Sequence, residues 1–478
     1  MILALESSTA SAKALLYNPK TGITEHVAAQ AYGEDAWPAR GIHDPQAVAG
    51  CTFALGRRVC EGFRKVEAIA VCGTYHSVVL CERPRPGTPG GLRAITPVYT
   101  WMSPIAETLA AARRSDAGYT RQYYQRTGCM VNALYPAFQL MALRDAGVGF
   151  ENTRIASESG FVFSQLTGQA VETGCTNSGG GLINLQSRDW DPQTIDEIGL
   201  KEENLSPLAM YRDARPLSSA GAALLGLPSG IPVLPSYPDG ALNQVGSGAL
   251  GNGAMTFSMG TSGALRLSVS APLVPETPGT WCYLSPSAWL SGAAVNGACN
   301  CVDWVKAMLF PAASYSEIER EKPKFQNMPY FLPFIFGERC PGWNDAKKGG
   351  FYELRSHHTP QDIYYSVLEG VLFNVYQCYE LLCKTAGKPE QIQLSGGILN
   401  SAHWKEMCAD IFGRSLHCAK IPQASLAGGV VLAMEVTGFL SSIEDHKVEI
   451  DEILQPDMNR HRIFMKRYAK YLEYYWGM

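Results

Sequence analysis

Two stretches of this chain are built to one plan. Met1-Ile-Leu-Ala-Leu-Glu-Ser-Ser-Thr-Ala-Ser-Ala-Lys-Ala-Leu-Leu-Tyr17 opens it, and Ala254-Met-Thr-Phe-Ser-Met-Gly-Thr-Ser-Gly-Ala-Leu-Arg-Leu267 follows just past the midpoint. Each is an apolar run, a cluster of small hydroxyl and glycine residues, and a second apolar run, the pattern of a β-hairpin with a polar tip. Small residues at a tight turn let backbone N–H groups converge on an anion, and Ser and Thr hydroxyls add donors without bulk. The repeat therefore predicts two related halves that close on one phosphate-bearing ligand.

At 478 residues the chain exceeds a single ordinary core, and two domains of about 240 residues fit the usual size range. We place the boundary near Ser247, giving an N-terminal unit of 1–247 and a C-terminal unit of 248–478. Apolar residues make up 46% and charged residues 18%, with no signature of disorder. A net charge of −4 argues against nucleic acid or an anionic membrane as the main partner. No apolar run approaches the roughly 20 residues a membrane span needs, and no basic leader opens the chain, so a soluble, cytoplasmic protein is expected. The 14 cysteines are scattered without a CxxC unit, and the close pair Cys299 and Cys301 reads as ordinary buried thiols.

Strand-rich and helical patterns alternate through both halves, which indicates an α/β fold. Val66–Cys72 and Ser77–Cys81 read as strands, Pro84–Leu92 as an exposed loop, and 104–113 and 136–144 as helices. Ser178-Gly-Gly-Gly-Leu182 reads as a flexible turn, and Ile231-Pro-Val-Leu-Pro235 as a strand too rich in Pro to sit centrally. Further on, Trp289–Ala298 predicts a strand and turn, 363–382 a long amphipathic helix, and 391–412 a strand, a Gly-Gly turn and a helix. Ala424–Ala433 predicts a helix with a small-residue face for close packing.

Asp239 is the foremost catalytic candidate. It follows a β-run in Pro-Asp-Gly and precedes a small-residue helix, which would set its carboxylate at a helix N-terminus. Such a group can take the proton of a hydroxyl as that oxygen attacks a phosphoryl group, although a plain N-cap is the commoner use of Asp there. Glu6, at the end of the first strand, could hold Mg²⁺ or its water, or simply be solvated. Asp239 is the other candidate metal ligand. Ser8, Thr9 and Ser11, with Gly260, Thr261 and Ser262, are the candidate phosphate contacts. Gly396 and Gly397 would let a flat ring approach the backbone. Tyr75, His76 and Trp101 are candidate sugar contacts, a core role being the plainer reading for Trp101. The loop Gly337-Glu-Arg-Cys-Pro-Gly-Trp343 orders the cleft rim or serves structural salt bridges.

Taken in order, the two hairpins, Pro238-Asp-Gly240, Gly260-Thr-Ser-Gly263, Gly292–Gly297, Gly337-Glu-Arg339, Leu368-Glu-Gly370, Ser395-Gly-Gly397 and Ala424–Gly428 resemble the FGGY carbohydrate kinases over nearly the whole chain. Gly260-Thr-Ser-Gly-Ala-Leu-Arg266, Thr280-Trp-Cys-Tyr283 and Leu332–Arg339 are most similar to the gluconate kinase branch, with xylulose kinases next. The resemblance implies a two-domain actin-like (ribonuclease H-like) fold whose interdomain cleft aligns the γ-phosphate of ATP with a sugar hydroxyl. It implies Mg²⁺, Asp239 as base, the Ser8–Ser11 and Gly260–Ser262 turns on phosphates, Gly396, Gly397 and Asn400 near adenosine, and His76 and Trp101 at the sugar. The implied partners are ATP and a small sugar or sugar acid, with a homodimer left open.

Departures accompany the match. Glu6, Ser8 and Ala10 stand where the family's opening motif normally has Asp, Gly and a second Thr, and Ser103 and Ile105 where it usually has Asp and Arg after the Trp. Asn132-Ala133 replaces a His-Pro pair, and Gln423 a Glu. A lost hydrogen-bond partner can shift specificity by orders of magnitude. The expected activity is thus a sugar or sugar-acid kinase, gluconate-like by branch. The alternatives are a kinase for xylulose or another ketose, a degenerate kinase kept as a sugar-binding or regulatory protein, and an actin- or chaperone-like ATPase.

Overall fold

A computed structural model describes residues 1–63, 65–84, 90–419 and 421–477, so part of the loop expected at Pro84–Leu92 lies outside the described residues. The opening repeat forms the hairpin β1 (Ile2–Ser7) and β2 (Ser11–Asn18), flanked on one side by β3 (Ile23–Ala31) and on the other by β4 (Ala68–Gly73). β1 runs antiparallel to β2 and parallel to β4, with Ser7 level with Gly73. Three short strands, β5 (Arg215–Pro216), β6 (Pro232–Val233) and β7 (Tyr237–Pro238), complete a seven-stranded sheet in the order β5-β6-β4-β1-β2-β3, with β7 also on β4. The Pro-flanked β6 accordingly lies next to the edge, where few ladder bonds are needed.

The second repeat forms β8 (Ala254–Met259) and β9 (Gly263–Val269). With β10 (Trp281–Leu284), β11 (Trp289–Val295), β12 (Gln391–Gly396), β13 (Leu416–Cys418) and β14 (Glu452–Leu454) they build another seven-stranded sheet, ordered β10-β11-β9-β8-β12-β13-β14. Here too the first hairpin strand is antiparallel to the second and parallel to the strand on its other side, and Met259 is level with Gly396. The two halves thus share one local topology, and the expected two-domain α/β architecture is the observed one.

Both faces of the first sheet are covered, as the uninterrupted apolar run of β1 requires. Ile2 and Ala4 face a core shared with the second half, whereas Leu3 and Leu5 face a separate cluster with Phe53 and Phe163. Helix α1 (Asp239–Gly246) leaves the end of β7 and packs against α2 (Ala424–Val436). This contact depends on missing side chains: a Cβ at Gly246 would overlap the Ala424 carbonyl, and one at Gly428 the Leu242 carbonyl. The small-residue face read from the sequence is therefore what brings the helices together.

Two expectations are corrected. The 178–182 turn is buried throughout, and a Cβ at Gly179 would strike the Tyr75 ring, so its glycines serve close packing. The long helix expected to be amphipathic, Pro360–Ala386, is buried without a break from Tyr364 to Val375. Its one acid in that run, Glu369, is matched by a bidentate pair with Arg467 at 2.6 and 2.7 Å, the arrangement a buried carboxylate requires.

Candidate active site

The tip of the first hairpin is held by its own hydroxyls and by two neighbours. Ser8 N and Oγ donate to the Ser11 carbonyl at 3.0 and 2.7 Å. Thr9 Oγ1 accepts from the Trp101 indole at 3.0 Å, which ties an exposed aromatic ring to the tip. The Thr9 carbonyl accepts from His43 Nε2 at 3.0 Å, and His43 Nδ1 meets the buried Glu158 carboxylate at 2.5 Å. Burial alone would lower the His43 pKa, but the Glu158 bond outweighs it and the net shift is upward. With an acceptor at each nitrogen, the ring is suited to the imidazolium form. Glu6 lies below the tip, almost fully buried. One of its oxygens is paired to Lys13 at 2.8 Å, its register partner across the hairpin, and the other accepts from Ser425.

The second tip leaves Gly260, Thr261 and Ser262 exposed. Its carbonyls are turned away from the opening: Gly260 O accepts from Cys299 N at 2.9 Å and Thr261 O from Asn300 N at 3.4 Å, at the start of α3 (Cys299–Leu309). Beside it, Gly396 has φ +93°, and a side chain there would overlap the Met259 carbonyl, so glycine is required at this turn. Gly397 is partly buried and Asn400 exposed on the same turn.

Asp239 is the first residue of α1, partly buried, and its Oδ1 accepts the Gly240 N–H at 2.7 Å. Burial, then the nearby Glu6 carboxylate, push its pKa above the ordinary carboxylate range, with Arg266 and Lys13 pulling the other way. Gly240 admits the ring of Tyr75 and the guanidinium of Arg266, since a Cβ there would stand 2.8 Å from Tyr75 Cε2 and 3.1 Å from Arg266 Nε. Tyr75 stacks on His76 with centroids 5.4 Å apart, and its hydroxyl is 4.0 Å from Cys175 Sγ.

His76 occupies the left-handed region at φ +61°. Its Nδ1 donates to the Gly179 carbonyl, leaving Nε2 to accept from Arg339 Nη2 at 3.3 Å. Burial, then the Arg339 charge, lower the His76 pKa to about 3, so the ring is neutral. Both nitrogens having partners, the free donors beside His76 belong to Arg339. Ser103 is buried as the cap of the turn Pro104–Ala106, and Ile105 packs on the core.

The structure brings Glu6 and Asp239 within electrostatic reach of each other, links Trp101 to Thr9, and stacks Tyr75 on His76. Sequence reasoning missed Lys13, His43, Glu158 and Arg266. Lys13 was accessible from hairpin register, as the position opposite Glu6. Arg266 also left a signal, a lone charge inside an apolar strand. His43 and Glu158 are 115 residues apart, and no local pattern joins them. The loop holding Arg339 serves both roles considered for it: Glu338 makes structural contacts to Lys347 and Tyr475, while Arg339 reaches His76.

Comparison with known sequences matches residues 1–246 to the N-terminal domain of the FGGY family of carbohydrate kinases and residues 255–435 to its C-terminal domain. A gluconokinase of Bacillus subtilis (strain 168) is 24% identical over 526 residues, covering 100% of this chain and 98% of that one. Among solved structures, ligand-bound xylulose kinase from Lactobacillus acidophilus has a TM-score of 0.91 at 23% identity, covering 99% of this chain and 97% of its own. Gluconate kinase from the same organism has a TM-score of 0.89 at 23% identity, covering 99% and 96%.

Proposed function

Because the chain belongs to the FGGY family of carbohydrate kinases, it is a phosphotransferase that uses ATP, and we propose that its acceptor is a sugar acid of the gluconate type. The observation that carries the mechanism is Asp239, at a helix start between the two halves, with a pKa raised by burial and Glu6. A carboxylate shifted upward is a better proton acceptor for a hydroxyl. Asp239 takes the proton as the hydroxyl oxygen bonds to the γ-phosphorus, the bond to the β–γ bridging oxygen breaks, and ADP leaves. With Ser8 N and Oγ turned to the Ser11 carbonyl, the first tip offers the phosphates the Thr9 hydroxyl, the tip at Gly260–Ser262 offers N–H and hydroxyl donors, and Gly396, Gly397 and Asn400 line the adenosine side. In this reading 1–247 carries the base and 248–478 most of the nucleotide site.

Mg²⁺, when bound, neutralises phosphate charge. Both Glu6 oxygens are engaged, and one Asp239 oxygen holds Gly240. The protein residues therefore fit an ion held mainly by the nucleotide, with Asp239 and Glu6 reaching it through water.

The test is ADP release by the purified protein with Mg²⁺-ATP across aldonic acids, ketoses and polyols, beside Asp239→Asn. Stimulation by an aldonic acid, reduced about 10²- to 10⁴-fold in the variant, is expected. Stimulation by a ketose alone would replace the acceptor, and full activity of the variant would remove Asp239 from the mechanism.

A further inference from the structure

Two arginines of the C-terminal half, Arg266 and Arg339, lie within electrostatic reach of each other, and neither forms an ion pair within 4.0 Å among the described residues. Ala264 and Arg266 share one face of β9 by the two-residue period of a strand, and both are partly buried, while Gly263, Leu265 and Leu267 on the other face are buried. The Arg266 chain extends to Gly240, the residue after the proposed base. Its Nη1 donates to the neutral Ser258 hydroxyl at 3.0 Å. Arg339 donates from Nη2 to neutral His76, and its Nε is buried without a hydrogen-bond partner. Desolvation lowers the Arg266 pKa, Asp239 and then Tyr75 oppose that, and repulsion from Arg339 adds to the lowering.

Cations kept from water without a counter-ion are unfavourable, and a guanidinium fork matches a carboxylate in bidentate geometry. The nearest carboxylate, Asp239, is needed for the proton. We propose that Arg266 and Arg339 together form the subsite for the carboxylate of an aldonate acceptor, and that these two residues set the preference for acid over neutral sugar. The assignment rests on the kinase reading above. A phosphate of the nucleotide offers similar anionic chemistry. Arg266, however, reaches Gly240 beside Asp239, and Arg339 contacts His76, the candidate sugar contact, so in the kinase reading the pair serves the acceptor rather than the nucleotide.

The experiment compares kcat/KM for D-gluconate with that for D-glucitol, the same skeleton with the carboxylate reduced, in wild type, Arg266→Gln, Arg339→Gln and the two Arg→Lys variants. KM for ATP and calorimetric Kd for gluconate and for a non-hydrolysable ATP analogue are measured alongside, with thermal unfolding to verify folding. Each Gln variant is expected to lower the gluconate-to-glucitol ratio about 10- to 100-fold, the loss of a charge-assisted hydrogen bond, with partial recovery in Lys. Where glucitol turnover is too slow to measure, an about 10- to 100-fold rise in gluconate Kd beside an unchanged analogue Kd is the corresponding readout. An unchanged ratio overturns the subsite, and a change confined to ATP or its analogue assigns the pair to phosphate. Gluconate that binds through the arginines without being phosphorylated upholds the subsite and removes the sugar-acid kinase reading. Ketose turnover with no gluconate binding removes both, while the Asp239→Asn control still reports on the base.

Discussion

At the scale of single residues, the site is a balance of charges around Asp239. Glu6 raises its pKa, and Lys13 and Arg266 oppose that effect. With Asp239 as the proposed base, activity should fall as pH drops through its pKa, which lies above the ordinary carboxylate value. Glu6→Gln removes the like charge and frees Lys13, and both changes favour ionised Asp239. The acid limb of kcat should therefore move to lower pH in Glu6→Gln, read from a pH–rate profile under saturating substrates. A limb that stays in place or moves upward would show that Glu6 does not tune the base. Asp239 and Glu6 were legible because each sits beside a pattern break, at a strand end or helix start. Arg339 drew attention only through its loop, since its partner His76 is 263 residues away.

At the scale of elements, α1 is located by glycine rather than by capping. Pro238 precedes it with no side-chain cap bond, and its axis is held by the contact with α2. Gly428→Ala places a methyl against the Leu242 carbonyl, a backbone atom with no rotamer to yield. The expected cost is about 1–3 kcal/mol of stability, with a fall in kcat because Asp239 moves with its helix. Thermal unfolding and initial rates measure the two effects, and an unchanged midpoint would mean the helices separate freely. The hairpins and α2 could be read in advance because strand alternation and small-residue clustering are local. The burial of the 178–182 turn could not, because a run of glycines is the same string whether it faces water or the Tyr75 ring.

At the scale of the whole molecule, the two halves touch through Tyr135 and Tyr283 hydroxyls at 2.9 Å, Asn132 and Asp345 at 3.3 Å, Tyr211 and Glu435 at 2.9 Å, and the His76–Arg339 bond. Ligands held between the two halves, as the proposed function requires, would be coupled. Gluconate and a non-hydrolysable ATP analogue together should raise the unfolding midpoint by more than the sum of their separate increments, whereas simple additivity would mean that the sites do not communicate. The amino-acid order alone determined the duplication, the α/β class and the two hairpin tips, because hydrophobic period, turn residues and repeat spacing act over short stretches of chain. Tertiary structure alone decided that Glu6 accepts from Ser425 and sits beside Asp239, that His76 is buried neutral beneath Arg339, and that Arg266 and Arg339 come within electrostatic reach of each other. Those outcomes depend on burial and on charges brought together from distant segments, and neither exists until the sheets have packed.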